Sequence, residues 1–416
     1  FILYQAGVLV AVLALHVDDV LIGVKVKTLL TPMKDRFAWG DGSFENDNDV
    51  IYCGRRMQHE PGVRIRITQG AFCGAIEVGK LTKERRANPA APLVGEELSE
   101  LSSCIGSLNW VGGNTRPPLM ACTSLLQGGE KTVEVLVKAH SLLRELKDEP
   151  DVGLEMVPID LNKALMLVHA DGSWANAAGH RTQSGYVVFA AEPECVTAAG
   201  GKANPLDWRS HRLRRACHCT LYVEAISSRS GAASGTWARQ FLLEMLNHDY
   251  KATMNVRGCS EEIKVKVGKQ NPLHVVTDCN SLHETVIKDS LPEDKRAAIE
   301  VLAIREMITD ERGYEDSSDD DAFEQRMRDY RLDTTYHWGE AEGMKADILT
   351  KVHTAKARRE WQEQLNFVQL LGSKPLLGSG PSNPRKTIPR HYFVDYYKNA
   401  DKMSPPVQQQ FVQKKV

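Results

Sequence analysis

The chain has 416 residues, with 52 Lys and Arg against 54 Asp and Glu, a formal charge of −2. At roughly 150 residues per domain that is room for two to three domains, which excludes a single small module. The near-neutral balance excludes a globally basic nucleic-acid binder, so any such role rests on local patches. With 42% hydrophobic and 25% charged residues the composition is that of a soluble globular protein, neither disordered nor collagenous. Nine cysteines without framework spacing point to free thiols in a reducing compartment.

Residues 1–15 are an apolar run interrupted only by Gln5, with His16, Asp18 and Asp19 following at once. The run is too short for a spanning helix, lacks a basic leader and is rich in Val and Ile. It reads as a buried hairpin turning near residues 16–19, inside a domain that begins upstream. A helix is expected around 29–37 and a strand over 49–57, with a second strand over 63–68 pairing across the turn Glu60-Pro61-Gly62. Apolar residues at three-to-four spacing predict helices over 95–111 and 133–147. Glu149-Pro150-Asp151 reads as a linker closing an α+β segment of residues 1–150.

From Ala164 the pattern restarts. Strands are predicted at 165–171, 184–190 and 206–210, then a helix over 220–246 and a strand at 273–278. Helices over 281–287 and 295–309, a strand at 332–338 and a last helix from Lys345 complete the order. Residues 310–324 carry eight acids and one Arg, net −7, and predict a disordered surface insertion at about 310–325. Residues 373–416 hold six Pro and a net +6, the composition of an extended, disordered arm.

Four carboxylates fall where this order would converge them: Asp171 ends the first strand, Glu224 lies in the first turns of the long helix, Asp278 ends the fourth strand and Asp347 opens the last helix. Spacings of 53, 54 and 69 residues leave only the fold to bring them together. Four carboxylates at one sheet end cannot all stay ionised without cations. Mg²⁺ is the hard cation that suits such oxygens, with Mn²⁺ as a substitute. Two ions about 3.5–4 Å apart would activate a water and stabilise the leaving oxygen of a phosphodiester hydrolysis. Just before the long helix, Lys202, Arg209, Arg212, Arg214 and Arg215 stand against a single Asp and suit the phosphates of a nucleic acid. Trp174, Trp208 and Trp338 read as core or strand-packing aromatics. His211, Cys217, His218 and Cys219 lack the spacing of a zinc site.

Words along residues 1–355 arrive in the order of a known family. HVDDVLIG (16–23) is similar to a YVDD hairpin, and ITQGAFCGAI (67–76) and CIGSLNWVGGNTRP (104–117) are similar to the segments that follow it. HADGSWAN (169–176), HRTQSGYVVF (180–189), LDWRS (206–210), CTLYVEAIS (219–227), VVTDCNSLH (275–283), KRAAIEVLAIRE (295–306) and MKADILTK (344–351) continue the series. Together they resemble the C-terminal part of a copia-type retrotransposon Pol polyprotein, in which a reverse transcriptase runs into an RNase H domain. The resemblance implies an α/β fold: an RNase H-like mixed five-stranded sheet flanked by helices over 151–372, preceded by an α+β palm/thumb remnant of the polymerase over 1–150. It implies Asp171, Glu224, Asp278 and Asp347 as catalytic metal ligands for two Mg²⁺ ions, with Asp347 the more mobile. The implied partner is an RNA–DNA hybrid whose RNA strand is hydrolysed, with no membrane, at an intracellular site such as a cytoplasmic particle or the nucleus. Asp18 and Asp19 are expected to be a polymerase remnant without activity, because the third carboxylate of that site belongs to an upstream strand. His16, Pro118 and Arg296 depart from the family words, and they leave a second reading open: a decayed product that keeps the fold and hybrid binding without turnover.

Overall fold

The computed structural model describes residues 1–17, 19–36, 48–177, 179–250, 267, 270–287, 291–309, 334–372 and 374–375. Asp18, the acidic stretch 310–325 and residues 376–416 of the expected arm lie outside them. Residues 1–378 group as one unit.

Strands β1 (Ile2–Gln5), β2 (Val8–His16) and β3 (Asp19–Val24) form an antiparallel meander. Its first turn is Ala6-Gly7, both at positive φ, as a tight hairpin requires. The sequence suggests a buried hairpin here, yet none of the described residues of these strands is buried and none joins a core cluster. Hydropathy alone marks such a run as interior, whereas burial also needs a second layer to pack against. The helix expected from residue 29 begins later, as α1 (Thr31–Arg36), after a 3₁₀ turn at Lys27–Leu30.

The strand expected over 49–57 is two strands, β4 (Asp49–Tyr52) and β5 (Arg55–Glu60), reversed at Cys53-Gly54 with φ of 49° and 73°. Cys-Gly is not an Asn-Gly or Asp-Gly word, so the turn leaves no mark in the pattern. β6 (Arg64–Thr68) pairs with β5 across Pro61-Gly62 as expected, and β7 (Leu154–Met156) adds a fourth strand from beyond the supposed linker. Helices α2 (Gly70–Ala75), α3 (Lys83–Arg86), α4 (Glu96–Gly112), α5 (Leu119–Gly128) and α6 (Val133–Asp148) follow. Leu101, Cys104, Leu108 and Val111 of α4 meet Leu136, Ala139, Leu143 and Leu146 of α6 in one core, each set recurring at three- and four-residue steps.

The remaining strands are β8 (Leu165–Ala177), β9 (Arg181–Ala191), β10 (Gly201–Arg212), β11 (Leu273–Thr277), β12 (Thr334–Trp338), β13 (Phe367–Val368) and β14 (Lys374–Pro375). They form one mixed sheet in the order β13-β10-β9-β8-β11-β12-β14. β8, β9 and β10 are antiparallel neighbours, and β11 and β12 run parallel to β8. The five expected strands are therefore present, and two-residue strands at both edges make seven. Residues alternate between faces, as pleating demands. Met166, Val168, Ala170 and Val275 pack beneath α7 (Thr220–Leu246), α8 (Asn280–Ile287) and α9 (Lys295–Thr309). Leu165, Leu167, Val276 and Phe189 pack on the other face against Leu349, Leu365 and Val368.

The helix expected from Lys345 does not form there. A 3₁₀ turn, Asp347–Leu349, lies over the sheet instead, and α10 (Ala355–Glu363) starts only after Thr354, whose hydroxyl accepts from the Ala357 N–H at 3.2 Å.

Candidate metal centre

Three of the four expected carboxylates converge. Asp171 lies within β8 opposite Gly185, Glu224 projects from the second turn of α7, and Asp278 follows the last residue of β11. Their ligand oxygens all lie within 4.8 Å of one another, the one such group of three among the described residues.

Small residues make this convergence possible. On α7, positions 224, 228, 231 and 235 share a face at three- and four-residue steps. A Cβ on Gly231 would stand 2.8 Å from Val168 Cγ1, and one on Gly235 2.6 Å from Val168 Cγ2. The helix therefore seats on β8 through two hydrogen atoms, which sets the depth of Glu224. Gly172 does the same from the strand side, since a Cβ there would lie 2.5 Å from Val223 Cγ1. Gly185 leaves room for the 3₁₀ turn: its Cβ would fall 2.7 Å from Leu349 Cβ and 2.9 Å from Thr350 Cγ2.

Electrostatics follow from burial. Glu224 is 4% exposed and its Oε2 has no hydrogen-bond partner. Burial, then the charges of Asp171 and Asp278, push its carboxyl up to about 9. Burial and Asp171 push Asp278 up to about 6. Asp171 also moves upward by burial, opposed by the Thr350 hydroxyl, which donates to its Oδ2, and by Lys351. Three like charges in a buried space repel, and a cation is what lets them ionise together. The donor set is all carboxylate oxygen, and the orphaned Glu224 Oε2 awaits a partner. This buried acidic triad can hold a metal ion, and its oxygens fit a hard divalent one.

Asp347 stands apart from the triad. Its Oδ1 pairs with the Lys351 ammonium, and its Oδ2 lies 3.1 Å from His353 Nε2. Lys351 Nζ is also 4.0 Å from Asp171 Oδ2, so the fourth carboxylate joins the group through a lysine. Thr350 and Lys351, not singled out from the sequence, lie in the same ADILTK word as Asp347, and that word is the signal for them. Trp338, expected as a packing aromatic, is half-buried and donates its indole N–H to the Asp278 carbonyl at 2.9 Å.

The basic residues do not form one patch. Ser210 lies in register with Gly185 and through it with Asp171, so Arg209, Arg212, Arg214 and Arg215 belong to the carboxylate end of the sheet. Lys202 pairs with Phe367 eight residues back along β10, about 27 Å away at the rise of a strand. Arg209 and Arg212 emerge on opposite faces, and Arg212 Nη1 donates to the Gly128 carbonyl at 2.9 Å. Asp19 opens β3, opposite His16. Trp208 packs against the core as expected, whereas Trp174 is 50% exposed and donates to the Cys217 carbonyl. His211, Cys217, His218 and Cys219 form no three-ligand group. The eight described cysteines are free thiols.

No family model, curated protein or solved structure matches the chain. No helix among the described residues is long and apolar enough to cross a membrane.

Proposed function

We propose that residues 151–372 are an RNase H-type nuclease domain that hydrolyses the RNA strand of RNA–DNA hybrids with Mg²⁺. In this reading the chain is the C-terminal part of a copia-type Pol polyprotein, with residues 1–150 a polymerase remnant. The observation that carries it is the central strand order β10-β9-β8-β11-β12, two hairpin connections and then parallel crossovers, joined to a carboxylate triad drawn from the first strand, the first long helix and the end of the fourth strand. The ordered series of sequence words supports it independently.

When bound, Mg²⁺ supplies a polarised water and charge compensation at the leaving 3′ oxygen. The chain's own residues prepare that chemistry. Asp171, Glu224 and Asp278 present their oxygens, the Thr350 hydroxyl fixes the Asp171 carboxylate, and the Trp338 indole fixes the peptide at Asp278. Arg209, Arg214 and Arg215 hold substrate phosphates, while contacts to successive 2′-hydroxyls select RNA.

Cleavage of a labelled RNA–DNA hybrid by the full chain, with Mg²⁺ or with EDTA, beside single-stranded RNA and duplex DNA, tests the proposal. Metal-dependent cutting confined to the hybrid's RNA strand is expected. A folded, hybrid-binding protein that cuts nothing would instead be a relic of the element.

A further inference from the structure

Asp347 differs from the triad in one respect: it is in direct contact with a cation, which Asp171 meets only at 4.0 Å. Lys351 lies four residues after Asp347, and the 3₁₀ turn between them brings the ammonium onto Asp347 Oδ1 and within 4.0 Å of Asp171 Oδ2. The lysine side chain is 48% exposed, so it reaches the carboxylates from the solvent side and is free to swing out. Glu224 presents the opposite case: its carboxylate belongs to the triad, and its buried Oε2 has no hydrogen-bond partner.

We infer that Lys351 is a built-in cation holding the place of one of two metal ions. The free protein takes a single divalent ion on Asp171, Glu224 and Asp278. A second is admitted at Asp171 and Asp347 only once the Lys351 ammonium leaves, because like charges a few ångströms apart repel and compete for the same carboxylate oxygens. The exposed side chain then has a destination, the anionic phosphate of an incoming substrate. This last step rests on the nuclease reading; the counting of ions does not. Lys351 acts here as a positioning residue that couples metal loading to substrate arrival, so that the complete site assembles only on a bound strand.

The test counts Mn²⁺ bound to the full chain in the absence of nucleic acid, by equilibrium dialysis with the free ion read from its electron paramagnetic resonance. Wild type is expected to bind one ion, Lys351→Met and Lys351→Gln one more, and Lys351→Arg the same number as wild type. Equal counts in wild type and in both neutral variants overturn the inference. The side chain's exposure leaves the fold indifferent to these changes, and the charge-keeping arginine variant separates loss of charge from loss of shape. Since no hybrid is present, a chain that never cuts RNA still puts Lys351 to the test, and a chain that cuts while its counts stay equal loses only this inference.

Discussion

The Thr350 hydroxyl donates a buried hydrogen bond to Asp171 Oδ2, joining residues 179 positions apart. A hydrogen bond to a buried carboxylate contributes about 1.5–3 kcal/mol. Thr350→Val keeps the shape and removes the donor, so Mn²⁺ affinity is expected to fall roughly ten- to a hundredfold, with Thr350→Ser recovering most of it. Titration calorimetry reads the difference, and identical affinities in all three proteins would remove Thr350 from the site.

The seating of α7 predicts a stability contrast among glycines. Gly231→Ala and Gly235→Ala gain about 1 kcal/mol of helix propensity but force a methyl into Val168 and its neighbours, an overpacking cost of about 1–3 kcal/mol. Both are expected to lower the melting temperature and to displace Glu224. Gly106, in α4, has nothing within 4 Å of its would-be Cβ, and Gly106→Ala is expected to raise it. Thermal denaturation of the three variants decides the matter; equal shifts in one direction would refute the close-approach argument.

The carboxylates also fix how stability depends on pH. Burial and mutual repulsion hold Glu224 at about 9 and Asp278 at about 6, both above their values in an unfolded chain. The folded state therefore binds more protons than the unfolded one from about pH 4 to about pH 9. That stability is complete below the unfolded values and is lost as pH rises through the folded ones. In EDTA the melting temperature should decline across this window, and Mg²⁺ should raise it more at pH 8 than at pH 5, since loading displaces those protons. Glu224→Gln should flatten the upper part of the decline. A level metal-free profile would contradict the burial of charge described above.

Hybrid affinity and turnover should separate. Asp278→Asn keeps the Trp338 contact, which is to the backbone, and is expected to leave hybrid binding nearly intact while hydrolysis falls by several orders of magnitude. Equal cleavage by both proteins would sink the metal-ligand assignment.

Salt dependence distinguishes the basic residues. Arg214→Ala and Arg215→Ala are each expected to weaken hybrid binding and to shallow its salt slope by about one unit. Lys202→Ala, at the far end of β10, should change neither. Filter binding across a salt series measures both quantities, and a Lys202 effect matching that of the arginines would show that the bound strand runs the length of the sheet.

Periodicity carries much of this fold. The spans of α7 and α9 agree with the helices expected over 220–246 and 295–309, because a helical pattern sustained over four or more turns outweighs local ambiguity. Short elements do not announce themselves: α5, β7 and the edge strands are each too brief or too uniform to set a period. The turn Asp347–Leu349 reads as a helix start in the sequence because its conformation is imposed by the space over Gly185, a long-range cause that no local window contains. The triad is legible because an apolar strand, a strand end and a helix start are coarse features, although β8 runs on to Ala177 past the Asp171 that the sequence places at its end. The Lys351 contact is not, since it depends on where one flexible side chain comes to rest.

Arg358 of α10 grips Glu145 of α6 through two nitrogens and reaches Cys122 of α5, while Trp208 of β10 donates to the Gly112 carbonyl at 2.9 Å and Gln362 to the Gly153 carbonyl at 2.7 Å. The helices that precede the sheet are thus mortared to its back, the side away from α7, and Ile67 and Met120 complete the apolar layer there. Mutational drift in that first segment is therefore not free: a lost Glu145 or a shifted α5 loosens the floor on which the Asp347 turn rests. A segment that supplies none of the triad carboxylates can in this way still serve the site as scaffolding.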